Sequence, residues 1–418
     1  MNMNPRRQTW GAWRLNTWVW ACMWAWVWAW APEAAAAAGA DADTGPWQWS
    51  SDARSETRLG LAWQGRASDE AETRWQQQLS WKQADEQQWH LELDGLWRAR
   101  GVEEVRLGQA FYRHRQGPWQ WTVGRQIHDW SVTDTVSPSD LLNPRDWRDP
   151  TRSRKLALPS LSLRHAQAGQ QLELVLSPGA TASRLPDGVW APSLPAGLNL
   201  LPVQHPSQAQ LGLRWSGQAL GGDTSVVLYH GHSHAPTAVW AQTDTGLPAL
   251  QPLQDRLNAL ALGHLRELGT QSLLRLEWGL HHARRSDSFS QWVAGIEQTL
   301  NGPGDDALRL VLQWQGEYAV YRSREAPEGW WDFRRLFNHQ LLARVQQQTD
   351  DPEAWRLSLE GSWKPGERQR FIRLEAQRRL SVQLELTLGA VAIAGQPDTF
   401  WGQYRRLSRW TAGLLWRL

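Results

Sequence analysis

The chain has 418 residues, 41% of them hydrophobic and 21% charged, and its formal net charge at pH 7 is +2. A charge so close to neutral gives no reason to expect nucleic acid as a partner. The one cysteine, Cys22, lies in the apolar N-terminal segment, which excludes disulfides, thiol catalysis and zinc–thiolate sites from the rest of the chain. Tryptophan is unusually frequent, with 32 residues against 5 Tyr and 6 Phe.

The N-terminal segment has the pattern of a secretory signal peptide. Arg6 and Arg7 supply positive charge, residues 17–31 form an apolar stretch, and Ala35 to Ala38 offer small-residue cleavage sites. The stretch is too short for a membrane span, which needs about 20 residues. The predicted organisation is a signal peptide at 1–38, an N-terminal periplasmic segment at 39–54 and one barrel domain at 55–418.

Beyond the signal segment, apolar and polar residues alternate, which is the period-two pattern of β-strands. Trp75-Leu79-Trp81 is one example. After residue 40 there is no run of about 18 apolar residues, so strands that close on themselves remain as the way to cross a bilayer. The pattern predicts strands at roughly 55–65, 71–83, 87–99, 102–114, 117–127, 155–165, 169–178, 207–217, 223–232, 255–267, 270–283, 287–299, 305–318, 335–348, 353–364, 367–379, 381–394 and 404–418.

The lengths of the predicted connectors agree with a barrel. The long connectors all follow odd-numbered strands, at 128–154, 179–206, 233–254, 319–334 and 395–403. Outer-membrane barrels have both termini in the periplasm, short turns there and long loops outside, so all five fall on the outer side. We therefore predict an all-β, transmembrane antiparallel β-barrel of about 16–18 strands, which is wide enough for an aqueous lumen.

Alternation also assigns side chains to the two faces of the wall. Apolar positions should face lipid, and the tryptophans expected to point outward are Trp63, Trp75, Trp81, Trp97, Trp314, Trp355, Trp363 and Trp416. The polar positions between them predict the pore lining, namely Arg275, Glu277, Arg309, Arg344, Arg356, Glu360, Arg373 and Glu375. Two interpretations stay open: solvated cross-strand ion pairs, or a mixed-charge track that selects an anionic or hydroxylated solute.

Residues 124–150 read GRQIHDWSVTDTVSPSDLLNPRDWRDP. This segment resembles the "GRQ…WG…D…NP-x-D" segment of porin-like outer-membrane barrels of Gram-negative bacteria, although Ser131 stands where those families usually have Gly. The resemblance implies an inward-folding third external loop that narrows the lumen; the alternative is an external loop whose charges satisfy one another. The predicted constriction residues are Arg125, Asp134, Asp140, Asn143, Arg145 and Asp146.

The C-terminus carries a second resemblance. Thr411, Gly413, Trp416 and Leu418 are spaced like the terminal signal by which the insertion machinery recognises Gram-negative outer-membrane barrels, with Leu418 in place of the usual final Phe. This implies that the last strand docks on that machinery during insertion.

The histidines at 230, 232 and 234 are the other candidates for a metal site or a catalytic site. His230, His232 and His234 recur at every second residue and would share one face of a strand, but three such histidines more often line a wet loop base than bind a metal. His232-Ser233-His234 contains the residue types of a hydrolase, but neighbours on a strand point to opposite faces. We therefore predict no catalytic residues, no metal and no cofactor.

The function expected from these features is passive diffusion of small hydrophilic solutes through an outer-membrane channel of a Gram-negative bacterium. Its partners would be outer-membrane lipid, the solute, the insertion machinery and, as an open alternative, further copies of the chain. Two other readings remain: an outer-membrane lipid hydrolase, and a non-conducting structural or assembly barrel.

Overall fold

The structure is a computed structural model that describes residues 48–62, 70–83, 86–98, 102–134, 136–179, 181–192, 197–203, 208–301, 306–327, 331–349, 351 and 353–417. Trp49–Leu418 forms one compact unit. The predicted signal peptide at 1–38 lies outside the described residues. Within the described residues, no helix is long and apolar enough to cross a membrane.

The wall is a single sheet of eighteen strands, which selects the larger of the predicted counts. The strands are β1 Gln48–Ala62, β2 Glu70–Gln83, β3 Gln87–Arg98, β4 Val102–Gln116, β5 Trp119–Gln126, β6 Leu158–Gln167, β7 Gln170–Ser177, β8 Gln210–Ala219, β9 Gly222–His232, β10 Arg256–Glu267, β11 Ser272–Ala283, β12 Ser288–Asn301, β13 Ala307–Tyr321, β14 Gln340–Gln348, β15 Arg356–Lys364, β16 Gln369–Arg379, β17 Leu384–Ala394 and β18 Arg409–Arg417.

Antiparallel pairing runs from each strand to the next, and β1 pairs with β18 to close the barrel, with Ser55 opposite Trp416 and Leu61 opposite Trp410. β1 begins at Gln48, so the end of the predicted 39–54 segment already belongs to the wall. Trp416 lies in this closing strand, as the C-terminal pattern predicts, whereas Leu418 lies outside the described residues.

The two ends of the barrel differ in their connections. β6 and β7 are joined by Ala168 and Gly169, and β8 and β9 by Leu220 and Gly221; all four have positive φ, as two-residue type I′ turns require. The long connectors 127–157, 178–209, 233–255, 322–339 and 395–408 all lie at the other end. The predicted sorting of long and short connections is therefore confirmed.

Apolar side chains occupy the outer face of the wall. Trp81, Trp314, Trp355, Trp363 and Trp416 are exposed there, as predicted. Trp75 and Trp97 are half-buried at positions of the same alternation, and Trp63 lies outside the described residues. Trp355 lies just before β15, and Trp363 lies near its end. The eight residues of tilted strand that separate them span about 20 Å, close to the height of the apolar band of an outer-membrane barrel, which is about 25 Å.

Candidate functional site

A long connector follows β5; its residues 127–157 are called the 127–157 connector below. Asn143 holds its two ends together, because its side chain accepts from the amide of His128 at 2.6 Å and donates to the carbonyls of Gln126 at 3.1 Å and Leu156 at 2.8 Å. A short strand pair, Arg145–Asp146 with Arg154–Lys155, closes the tip, and the 3-10 turn Pro150–Arg152 lies within it.

The local geometry explains the Gly-Arg-Gln sequence at the start of the 124–150 segment. Gly124 has φ 129°, and a Cβ there would lie 2.2 Å from the carbonyl oxygen of Ala110. A side chain is therefore excluded where the chain leaves the wall. Gln126 is buried and donates to the carbonyl of Ser160 at 3.0 Å, which ties the end of β5 to β6.

One side of the 127–157 connector is apolar and packs on a wall that is apolar in the same region. Trp130, Leu141 and Leu142 are buried in one cluster with wall residues Leu158, Val175, Val227, Tyr229, Leu257, Ala259 and Ala261. The wall residues alternate with exposed apolar ones and so face the interior of the closed barrel. The indole nitrogen of Trp130 donates to Glu173 of β7 at 3.1 Å, so this buried aromatic is also satisfied as a donor.

Three glycines in the interior face make room for this packing. A Cβ at Gly212 would lie 2.7 Å from the ring of Trp130, one at Gly263 would lie 2.7 Å from Val132, and one at Gly279 would lie 2.8 Å from Pro138. Real side chains do not approach so closely. Any larger residue at these positions would therefore displace the connector from β8, β10 or β11.

Glu277 of β11 is the main polar anchor. Its carboxylate accepts from the amide of Val132 at 2.9 Å and from the hydroxyls of Ser137 at 2.8 Å and Ser139 at 2.6 Å, and Thr133 also donates to it. Four donors from the eight-residue segment 132–139 converge on a single side chain. Such convergence fixes both the position and the local turn of the connector.

The other side of the connector binds the far wall. Arg373 of β16 donates to the carbonyl of Thr151 at 2.7 Å, Arg152 pairs with Glu375, and Arg409 of β18 donates to Asp149 at 3.0 Å. Glu173 on β7 and Glu375 on β16 are nine strands apart in either direction around the eighteen-stranded wall. The same connector thus contacts side chains on opposite sides of the barrel.

Asp146 forms the most concentrated ion pair of the connector. It accepts from Arg148 at 2.7 and 2.9 Å, and Arg106 and Arg154 approach it to 3.7 and 3.9 Å. Burial opposes its ionisation, but the bonds from Arg148 outweigh burial and hold the pKa of Asp146 well below its ordinary value. Arg148 in turn donates to Glu104 of β4 at 2.8 Å, so the pair is joined to the wall.

Asp140 and Arg145 form a second internal pair at 2.7 Å, and Lys155 lies 2.9 Å from the same carboxylate. Asp140 is buried, which opposes its ionisation, but Arg145 and Lys155 together hold its pKa below the ordinary value. Of the six predicted constriction residues, Asp140, Asn143, Arg145 and Asp146 therefore stabilise the connector itself. Arg125 lies apart from them: among the residues that the structure describes, its guanidinium bonds to the carbonyls of Gly108 and Ala157 and not to the connector carboxylates.

Asp134 is the predicted constriction residue that meets the predicted pore lining. Its carboxylate lies 3.4 Å from Arg275 of β11 and 3.3 Å from Arg344 of β14. Six of the predicted lining residues form cross-strand pairs, in which Glu297 binds Arg275 and Arg309, Glu360 binds Arg344 and Arg373, and Glu385 binds Arg356. The other two, Glu277 and Glu375, bind the connector. Selection of a solute by a mixed-charge track stays a prediction.

Cavities remain on both sides of the connector. One of about 710 Å³ lies toward the short-turn end, bounded by Ser131 and Val132 of the connector and by Arg214 and Arg275 of the wall. Another of about 200 Å³ lies between Asp134 and Arg152 on one side and Arg344 and Arg373 on the other. Both are lined largely by polar groups, which suits hydrated solutes.

The second long connector was not recognised as part of the site from sequence. Residues 178–209 leave β7, yet Trp190 is fully buried in an aromatic cluster with Phe371 of β16, Val391 and Ile393 of β17, and Phe400, Trp401 and Tyr404 of the last connector. Arg409 lies over the Trp190 ring at 4.8 Å. A bulky residue in a Pro-rich connector was the one available signal, and the sequence gives no indication of which wall it reaches.

The three histidines do not come together as a metal site. His230 is exposed on the outer face and lies 2.6 Å from Asn258, whereas His232 is buried at the strand end and His234 follows in the next connector. Among the residues that the structure describes, no group of three or more His, Cys, Asp or Glu side chains is arranged to hold a metal ion.

His234 gives a pH prediction. Burial lowers its pKa to about 4, with Arg145 and Lys155 adding to the shift and Asp140 opposing it. Because the folded pKa lies below the ordinary value of about 6.5, the neutral side chain contributes full stability above that value and loses it as the pH falls toward 4. Asp140, whose pKa is also depressed, stays ionised over that window.

We therefore expect the urea midpoint of unfolding to fall more steeply between pH 6.5 and 4.5 in wild type than in His234→Gln. The exposed His230→Gln variant is the matched control and should follow wild type. Parallel declines in wild type and His234→Gln would contradict the assignment.

Comparison with known proteins finds solved structures that have a similar fold. No family model matches the chain, and no curated protein matches it in sequence. Among solved structures it is similar to the outer membrane protein OpdK from Pseudomonas aeruginosa, at 12% identity over 89% of this chain and 99% of that one, with a TM-score of 0.50. OccAB1 from Acinetobacter baumannii is similar at 9% identity over 88% and 96% of the two chains, with a TM-score of 0.50. At such identities the likeness concerns the fold alone, which is the closed barrel described above.

Proposed function

We propose that this chain is an outer-membrane channel of a Gram-negative bacterium for passive diffusion of small hydrophilic solutes, with its lumen narrowed by the 127–157 connector folding inward. A signal peptide at 1–38 would direct export, and the last strand would dock on the insertion machinery. The exposed aromatics at both ends of the strands support a lipid-facing wall. Chemistry is not required of any residue in this proposal, and assembly with further copies remains compatible with it.

The observation that carries the proposal is the reach of the connector from β7 to β16. Trp130 bonds to Glu173 on one side and Arg152 pairs with Glu375 on the opposite side. A segment bound to opposite walls divides the cross-section of the lumen and leaves solute only the spaces beside it. Those spaces are the polar cavities of about 710 and 200 Å³.

The charged side chains that line the proposed solute path support selection by the size of the solute more than by the sign of its charge. Asp134 lies within 4 Å of both Arg275 and Arg344, and each of these two arginines also has a wall glutamate within 4 Å. Paired charges of both signs leave a weak net field, whereas strongly selective pores carry rings of one sign. We expect permeation of both small anions and small cations, with bulk as the main limit.

The chain has one cysteine, Cys22, and it belongs to the predicted signal segment. A cysteine introduced into the barrel can therefore be modified selectively. Asp134→Cys in a Cys22→Ser background is treated with a membrane-impermeant sulfonate thiol reagent while current is recorded in planar bilayers. The reagent adds bulk beside the path, so the current should fall. Leu312→Cys on the outer face is the matched control and should not respond. A modified Asp134→Cys channel with unchanged current would contradict a path past this residue.

A further inference from the structure

The hydrogen-bonded wall is interrupted beside β4. β4 spans Val102–Gln116, but it pairs with β5 only from Ala110 to Gln116, because β5 ends at Gln126. From Val102 to Leu107 its register is with β3 alone. Among the described strands, none pairs with this half of β4 on the β5 side. The sheet therefore has a free edge about six to eight residues long.

The free edge lies at membrane depth. Trp97 lies near the long-connector end of β3, opposite Glu103 of β4. Val105 and Leu107 follow along β4 toward the middle of the wall. Both face outward, with 75% and 41% of their surface exposed. Open sheet edges are not tolerated against lipid, but they occur where they are covered by protein or line a cavity. The wall at this point therefore needs a different partner.

Arg125 partly fills the break. Its guanidinium donates to the carbonyl of Gly108 on β4 at 3.3 Å and to the carbonyl of Ala157, next to β6, at 2.9 Å. It bridges the two sides of the gap where a strand would otherwise run. Within the part of the chain that the structure describes, both acceptors of the Arg125 guanidinium are backbone carbonyls and no carboxylate pairs with it. An ionisable residue at membrane depth is costly and usually marks a functional site with an opposite charge as its partner.

A cavity of about 610 Å³ lies behind the break, within the range of about 300–1,000 Å³ for ligand pockets. Arg106 on the inner face of β4 and Leu107 on its outer face both line this cavity. The cavity therefore extends around the free edge of β4 from one face of the sheet to the other. Apolar side chains also line it, namely Ile127, Leu185 and Val203, and Ile127 is exposed.

The other cations that line the cavity already have carboxylate partners. Arg106 lies 3.1 Å from Asp94, Arg184 pairs with Glu104 at 2.5 Å, and Lys155 pairs with Asp140 at 2.9 Å. Arg154 lies farther from its partners, at 3.9 Å from both Asp94 and Asp146. Among the described residues, Arg125 is therefore the lining cation without a carboxylate within 4 Å, and the apolar Leu107 and Ile127 line the same cavity.

We propose that this cavity is a lateral binding site for an anionic amphiphile, which enters from the lipid between β4 and the 127–157 connector, places its acyl chain along Leu107 and Ile127, and pairs its anionic head group with Arg125. A fatty-acid carboxylate and a single-chain lipid phosphate share this chemistry. The inference rests on the membrane location proposed above but does not depend on conduction.

The test uses full-length mature protein in lipid vesicles, with insertion established first by protease protection so that a failure of the membrane location is recognised separately. Three photoreactive 16-carbon probes with a diazirine on the chain are compared: the fatty acid, its methyl ester and the corresponding lysophosphatidate. Crosslinked peptides are mapped by mass spectrometry. We expect the anionic probes to label the segments around Val105–Gln109 and Ile127, and the uncharged ester to label them at least tenfold less.

The Arg125→Gln variant should lower the labelling by the anionic probes by roughly tenfold, and Arg125→Lys should retain most of it, because charge is kept. Arg370→Gln, at an exposed position of β16, is the matched control and should not change the labelling. The carboxylate and phosphate arms identify the head group. Equal labelling by acid and ester in wild type, or labels spread around the wall in proportion to lipid-exposed area, would overturn the proposal even if Arg125→Gln does not fold.

Discussion

Glu277→Ala is expected to release the 127–157 connector from β11 and to convert a steady current into one with frequent transitions to larger conductance. The substitution removes the acceptor for Val132, Thr133, Ser137 and Ser139 at once. A buried donor left without its acceptor costs about 1–3 kcal/mol, and the loss of the acceptor for four donors is enough to populate a displaced connector. Single-channel recording in planar bilayers measures both the mean conductance and the transitions.

Glu385→Ala is the matched control for that experiment. Glu385 is also a buried glutamate of the interior face, but its partners Arg356 of β15 and Arg417 of β18 belong to the wall and not to the connector. It should alter the local charge without adding transitions. Identical recordings from the Glu277 and Glu385 variants would contradict the role of Glu277 as the anchor.

Asp146→Ala is expected to unfold the tip of the connector while the wall stays intact. Removal of this carboxylate leaves Arg148, Arg106 and Arg154 close together without the charge that holds them, and breaking a buried pair in this way costs about 3–5 kcal/mol. Hydrogen exchange at the amides of Trp147 and Leu156, which bond to the carbonyls of Arg184 and Pro144, reports this opening directly. Both amides should exchange more than a hundredfold faster, since 1.4 kcal/mol corresponds to about tenfold.

The control for Asp146 lies in the same connector. Asp129 pairs with Lys155 at 2.8 Å, but its side chain is 78% exposed, and such surface pairs contribute about 0–1 kcal/mol. Asp129→Ala should leave the two amides nearly as protected as in wild type. Equal acceleration by both substitutions would show that Asp146 is no more than a surface charge.

The wall of the barrel could be predicted from the sequence because each strand carries its own signal. Alternation of apolar and polar residues is a local property, so β15, with Leu357, Leu359 and Trp363 outward, is readable from its own residues. Connector length is also local, and the long connectors after odd-numbered strands located one end of the barrel. The start of β1 was placed seven residues too late, because Gln48 to Arg54 lack a clear apolar alternation.

The interior of the site was less accessible, since it depends on which distant strands meet. Glu277 was assigned to the interior face, but its four partners lie about 140 residues earlier in the chain. The glycines at 212, 263 and 279 are uninformative alone, and their purpose is visible only with Trp130, Val132 and Pro138 against them. Arg125 was grouped with Asp134 by sequence, whereas Gly124 turns the chain so that Arg125 bridges the wall instead.

The central claim is that solute passes through a lumen that the 127–157 connector narrows. Single-channel conductance in planar bilayers, wild type against deletion of 131–149, tests it most directly. The account predicts that wild type conducts and that the deletion, which removes Asp134 and the bonds to Glu277, conducts severalfold more, because a segment bound to opposite walls is gone. If neither the wild type nor the deletion variant conducts, the claim that the protein is a channel is wrong. If the two conduct equally, the claim that the 127–157 connector narrows the lumen is wrong.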